Sequence, residues 1–421
     1  MFPREHERKI IKMLLKMKRR IIKSAAALLS VGFVLIFGTA GYYSTQLPSS
    51  VTVETGKSLE IAEFPELRCT GSCDRAVPVS GAFNRTEQVT LSLLGIIPVK
   101  NVQVRHAEAP VFTVGGRPFG IKLLMEGVMV TDLGDVEDKN GNYSCPAEKA
   151  GIHEGDILRL ANGETLTSND RLQQIISASE GRTVELYVER DDKFFSTKLQ
   201  PVLSRRSSDW KGGMWVRDSI AGIGTMSFLD KKTGRFVGLG HPICDSDTGG
   251  IVPVHSGEAV SVEITDIRRG SSGVPGELRG NFSSEASLGI LNKNKTSGIY
   301  GVLSAEALSE LTADCKEFPM AYSQEIRTGY AEIYSTISGT VPEKYTAEIE
   351  KVDYSSGSNR NMVIRITDKR LLDASGGIVQ GMSGSPIVQD GKLAGAITHV
   401  LVSDPARGYG IFAEKMAENI E

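Results

Sequence analysis

Cysteine is scarce in this chain and charge is balanced, and each shortage excludes something. The 421 residues hold five cysteines, at 69, 73, 145, 244 and 315, with no repeated C-x-x-C pair. That spacing indicates neither a structural zinc site nor a disulfide framework. Only Cys69 and Cys73 stand close enough to bridge, if their region lies outside the cytoplasm. Lys and Arg total 48 against 51 Asp and Glu, a net charge of −3, which gives no reason to expect a nucleic-acid partner. No H-x-x-x-H pair supplies a rigid start for a catalytic metal. What remains, at 40% hydrophobic and 24% charged residues, is ordinary globular material for two or three domains.

The N-terminus sets the compartment. Residues 1–23 carry nine Lys and Arg against Glu5 and Glu7. Ser24 to Tyr43 follows without a charge, twenty residues, enough for a helix to cross a hydrocarbon core of roughly 30 Å. The next charges are Glu54 and Lys57. The positive-inside bias leaves residues 1–23 in the cytoplasm and exports the rest. Thr39-Ala40-Gly41 offers a signal-peptide cut, but the apolar run exceeds an h-region of about 7–15 residues, which favours an uncleaved anchor over 24–43. Residues 44–105 read as a polar tether, Ser44 to Ser50, and then a small β-rich region. Its strands are expected at Val51–Val53, Gln88–Leu93 and Val99–Val104.

Residues 106–200 have a clearer pattern. A turn at Pro118 leads into a strand, and Gly127 to Thr131 is another. The run from Ala147 to Leu158 reads A-x-x-A-G-I-x-x-G-D-I-L and is followed by Asn162-Gly163. A helix is expected over Asn169–Ser179 and a strand over Thr183–Arg190. The run resembles the core of bacterial PDZ domains, which bind a peptide as an added strand. The resemblance implies that Phe119, Gly120 and Ile121 form the loop for a peptide carboxylate and that the Asn169 helix is the other wall. His153 reads as a loop residue.

From about Trp210 short strands and glycine-rich turns argue for an all-β domain over 205–421. Strands at Ile223–Leu229 and Arg235–Leu239 lead to His241, just past a strand end. Further on comes Gly381-Met-Ser383-Gly-Ser-Pro386. A serine nucleophile needs its Oγ held out of a tight turn and backbone N–H groups converging on the oxyanion. Glycines around Ser383 permit that turn, with the Gly381 and Ser383 N–H groups as the oxyanion pair. Asp390-Gly391 is a hairpin signal before an apolar strand from Leu393 to Val402. This order resembles the nucleophile region of trypsin-like serine peptidases.

Longer motifs sharpen the reading. G-L-G-H-P-I-x-D-x-D-T-G around His241, R-I-T-D-K-R-L-L before S-G-G-I-V-Q-G-M-S-G-S-P-I, and A-G-A-I-T-H-V-L-V-S-D-P resemble the sporulation stage IV protein B family of serine peptidases. The single anchor and PDZ module fit the same family. The resemblance implies a mainly β chain: a transmembrane helix, a PDZ domain and a trypsin-like double β-barrel. It implies an exported endopeptidase acting between the two forespore membranes, without cofactor. It would cut itself, and then a membrane-bound regulator of an intramembrane metalloprotease that releases a late sigma factor; the polar tether after the anchor places the self-cut between Ser44 and about Ser80. By the same resemblance His241 is the general base, Asp368 its orienting acid and Ser383 the nucleophile. Asp368 lies fifteen residues before Ser383, closer than in most trypsin-like enzymes, and Asp245 and Asp247 are its rivals. His399 reads as a buried or strand-face histidine bonded to backbone, and Cys244 as a small hydrophobe. Two other functions stay open: a non-catalytic PDZ adaptor, and a zinc hydrolase using His241, Cys244, Asp245 or Asp247, and His255.

Overall fold

A computed structural model describes residues 4–70, 86–191, 193–313, 315–354 and 357–420. The chain divides into two units, residues 1–108 with 353–355, and residues 109–352 with 356–421.

In the first unit one helix runs from Arg4 to Gln46, and Met13–Gln46 is long and apolar enough to be a candidate membrane span. Leu28, Val34 and Leu35 are well exposed, as lipid-facing residues would be. The helix continues through Ser44, where a tether was expected. The Lys100 ammonium donates to the carbonyls of Ser44 (3.2 Å) and Leu47 (2.6 Å), and so satisfies oxygens that the helix end leaves open. A four-stranded sheet follows, in the order Ser50–Glu54, Ile97–Ala107, Thr86–Leu93, Leu67–Thr70. Three of these strands match the expected ones. Alternate residues of the long strand, Val102 and Val104, fill its buried face. Cys73, the expected partner of Cys69, lies outside the described residues.

The second unit holds the PDZ elements and two barrels. The helix Asn169–Ala178 starts where Ser168 Oγ accepts from the Arg171 N–H at 3.2 Å, an N-cap. It packs Leu172 and Ile176 with Leu158, Leu186 and Val188 of the strands Ile157–Ala161 and Val184–Arg190. The G-D of the motif has a structural reason. Asp156 is fully buried, accepts from the His153 N–H at 2.8 Å and pairs with Arg190 at 2.6 Å. His153 is the loop residue expected.

Six strands then form a closed circuit: Pro118–Leu133, Val254–Arg268, Glu277–Lys295, Gly298–Leu303, Arg235–Gly238 and Met214–Leu229, the last pairing back to the first. A second closed barrel is built from Gly329–Ser335, Glu343–Val352, Met362–Ile366, Arg407–Phe412, Lys392–Val400 and Pro386–Gln389. Its buried side chains include Ile333, Ile349, Ile364, Ile387 and Ile397. The mainly β class and the pair of barrels are those the sequence implied.

The strand Pro118–Leu133 departs from expectation. Its first half belongs to the first barrel, while Val128 and Met129 pair with Leu158 and Ile157 of the PDZ elements. Barrel and PDZ elements thus share one sixteen-residue strand, and the peptidase fold draws on residues expected to belong only to 106–200. Phe119, Gly120 and Ile121 are therefore not an open carboxylate loop. Gly120 pairs with Ile223 on one side and Val260 on the other. Phe119 and Ile121 are buried with Leu239, Leu291 and Ile299. With both strand edges hydrogen-bonded, no row of free N–H groups is left there for a peptide.

Candidate active site

The loop bearing His241 begins where the chain leaves the strand Arg235–Gly238. Leu239 and Gly240 both take positive φ, 68° and 69°, and turn the chain toward the second barrel. A Cβ on Gly240 would meet Ile411 Cγ2 at 2.9 Å and Thr398 Cγ2 at 3.0 Å, so glycine lets this loop lie against that barrel. The Ser383 turn is clamped from the other side. Thr225, on the strand Met214–Leu229, donates its N–H to the Ser383 carbonyl (3.0 Å) and its hydroxyl to the Gly381 carbonyl (2.7 Å). Gly384 has φ +98°, and a Cβ there would clash with the Thr225 carbonyl and stand 2.6 Å from Leu239 N. The G-S-G spacing is what allows the two barrels to meet so closely.

Between them lies a cleft of about 500 Å³ lined by His241, Ser383, Gly381, Thr398 and His399, among others. Ser383 Oγ donates to the Thr398 carbonyl at 2.6 Å. His241 Nδ1 lies 2.8 Å from the Pro242 carbonyl. That contact requires the proton on Nδ1 and leaves Nε2 as the basic nitrogen. Burial pushes the His241 pKa below its ordinary value, and the Pro242 bond opposes this only in part. Among the described residues the N–H groups of Gly381 and Ser383 have no hydrogen-bond partner, an arrangement able to receive an oxyanion. Ser385, two residues on, is fully buried and donates to Ser335 Oγ at 2.9 Å, so it packs and does not face the cleft.

The expected acid is elsewhere. Asp368 does not line the cleft. It caps the helix Lys369–Ser375 through the Arg370 N–H (3.0 Å), accepts from the Thr346 N–H (3.3 Å) and pairs with the Arg370 guanidinium (3.1 Å). The Arg370 bonds hold its carboxyl below the usual range. A short polar side chain just before a helix is also the strongest N-cap signal, and that role is the one this residue fills. The rivals are engaged too. Asp245 is buried, pairs with Arg217 and accepts the N–H groups of Asp247 (3.1 Å) and Thr248 (3.0 Å); Asp247 pairs with Arg217 at 2.8 Å.

What the sequence reading missed is a second histidine. The His399 ring centroid lies 4.7 Å from that of His241. Burial, then the nearby His241, then Arg360 push its pKa down to about 4. A register shift between Ile397 and His399 breaks the strand alternation that placed this residue on an ordinary face. Cys244 lines the cleft, where partial desolvation pushes its thiol up, so it is not primed as a thiolate. His255 is exposed in the next strand. No group of three or more potential metal ligands occurs among the described residues.

Residues 208–417 match the family model described as SpoIVB peptidase S55, and residues 144–190 match that of the PDZ domain. Among solved structures, the chain is similar to the PDZ domain of an SdrC-like protein from Listeria monocytogenes. That match has 20% identity and a TM-score of 0.18, covering 22% of this chain and 87% of that one. It is also similar to the inactive form of the Rv3671c protease, at 12% identity and a TM-score of 0.27, covering 47% of this chain and 82% of that one. No curated protein sequence matches.

Proposed function

We propose, on the premise that residues 208–417 belong to the SpoIVB peptidase S55 family, that this serine peptidase works through Ser383 and His241. The observation that carries the assignment is their meeting in one cleft from two different barrels, beside two unpartnered N–H groups. His241 Nε2 takes the Ser383 proton as Oγ attacks the scissile carbonyl. The oxyanion is held by the Gly381 and Ser383 N–H groups, and His241 then protonates the departing amine. Water repeats the cycle on the acyl-enzyme. The Pro242 carbonyl fixes the imidazole tautomer, the task for which Asp368 was expected. Ser383 must first turn away from the Thr398 carbonyl, so the observed arrangement is a resting one.

A fluorophosphonate tests the assignment on the full chain in detergent. Wild type should label at Ser383. Ser383→Ala should not label and should lose proteolysis by a factor on the order of 10⁶. Labelling that survives Ser383→Ala, or a folded wild type that never labels, returns the field to the PDZ adaptor.

The biological setting is proposed on the family resemblance. The helix anchors the chain with its N-terminus in the cytoplasm, and the peptidase works between the forespore membranes. Its substrates are the chain itself and a membrane-bound regulator whose cleavage leads to release of a late sigma factor. A protein substrate suits a peptidase that carries a PDZ domain.

A further inference from the structure

The walls of the cleft carry information about what is cut. Beyond the two histidines, none of the described residues that line it is ionisable except the weak acid Cys244: Asp, Glu, Lys and Arg are absent from that lining. The wall next to Ser383 is aliphatic. Ile378 and Val379, just before the nucleophile turn, Val400, at the end of the strand Lys392–Val400, and Val402, just after it, face it, and Pro275 adds to them. Ile378 and Val379 are buried at 2% exposure, so that side of the wall is held by the core.

We infer that the side chain bound beside Ser383, on the acyl side of the scissile bond, is uncharged and aliphatic. The inference rests on the assignment of Ser383 as nucleophile. A Lys, Arg, Asp or Glu bound here would lose its hydration without gaining a counter-ion. Leu, Val, Ile, Met or Ala would replace water against an apolar wall. The two histidines do not alter this, because the pKa of each lies below its ordinary value.

The test is a set of quenched fluorogenic peptides, varied at that one residue and cleaved by the full chain in detergent, with fluorophosphonate labelling in parallel. The best aliphatic residue should exceed every charged one in kcat/KM by about 100-fold or more. A charged residue within about 10-fold of the best aliphatic one overturns the inference, and labelling of Ser383 in that same preparation leaves the nucleophile assignment standing. Failure of both labelling and cleavage sinks the nucleophile assignment and the inference with it. Val402→Asp, at a position 47% exposed, places a carboxylate at the mouth of the cleft. It should raise the ratio of Lys and Arg over Leu by about 10-fold or more. A labelling-competent variant with an unchanged ratio overturns the placement of this wall against the substrate.

Discussion

At the scale of the residue, the two candidates for orienting His241 are an ionised side chain and a backbone carbonyl, and they make different demands. A carboxylate both fixes the tautomer and stabilises the imidazolium; a carbonyl such as Pro242 fixes the tautomer and stabilises the cation less. His241→Ala should therefore match Ser383→Ala in severity, since the pair acts as a unit. Asp368→Asn should leave kcat/KM within about 10-fold of wild type and change stability little, because asparagine caps a helix about as well as aspartate and the ion pair lost is to an exposed Arg370. A folded Asp368→Asn variant as dead as His241→Ala would mean that this carboxylate reaches the imidazole during turnover. The pH dependence has a definite sign. The base works when neutral, and burial sets its pKa below 6.5. Activity should be full at neutral pH and fall only as the pH drops through that lowered pKa. The acidic limb of kcat/KM against pH, or of the labelling rate, should have its midpoint below 6.5; a midpoint above 7 contradicts a buried neutral imidazole. The same sign governs stability: the unfolded chain binds protons at both histidines that the fold resists, so stability declines on acidification below about pH 6.5.

Elements decide whether these side chains meet. The Ser383 turn is held to the strand Met214–Leu229 by the two Thr225 bonds, and Gly384 supplies the close approach. Gly384→Ala must displace backbone, the Thr225 carbonyl and Leu239 N, at positive φ. It should cost roughly 3 kcal/mol or more and abolish labelling. Gly391 is the control, with φ +75° in the hairpin turn and open space around its missing Cβ. Gly391→Ala should cost about 1 kcal/mol and keep activity. Urea midpoints and labelling rates separate the two; equal losses would show that the tight contact at Gly384 is not what shapes the site. The contrast explains which parts of the site were legible. Ser383, its flanking glycines and His241 are local signals, a turn and a strand end. The helix expected over Asn169–Ser179 is likewise a local feature, and the structure caps it with Ser168. The sharing of Pro118–Leu133 between barrel and PDZ elements, the register shift that turns His399 into the cleft, and the remoteness of Asp368 are all set by long-range strand pairing. A residue type and its spacing carry no trace of that.

The whole chain couples this peptidase domain to a helix able to cross a membrane, and order along the chain gives the coupling a direction. The nine basic residues before the uncharged run predict that a reporter active only outside the cytoplasm works when fused after Glu54 and fails when fused after Lys23. Release from that anchor would need a cut between the helix and the peptidase domain. The expected tether is the poorest place for it: Ser44 is helical, Leu47 is buried, and Ser50–Glu54 is paired with Gln103–Ala107. A peptidase of this fold binds its substrate as an extended strand, and a bond already in a helix or sheet must first be unfolded to enter the cleft. Self-cleavage should therefore fall C-terminal to Glu54, before about Ser80, and outside the paired strand Leu67–Thr70. A C-terminally tagged wild type should accumulate a shortened form whose N-terminus, read by sequencing, lies in that window, while Ser383→Ala stays full length. A cut at Ser44–Glu54 would show that the helix end and its strand open before the reaction. Equal shortening of both proteins would assign the cut to another protease.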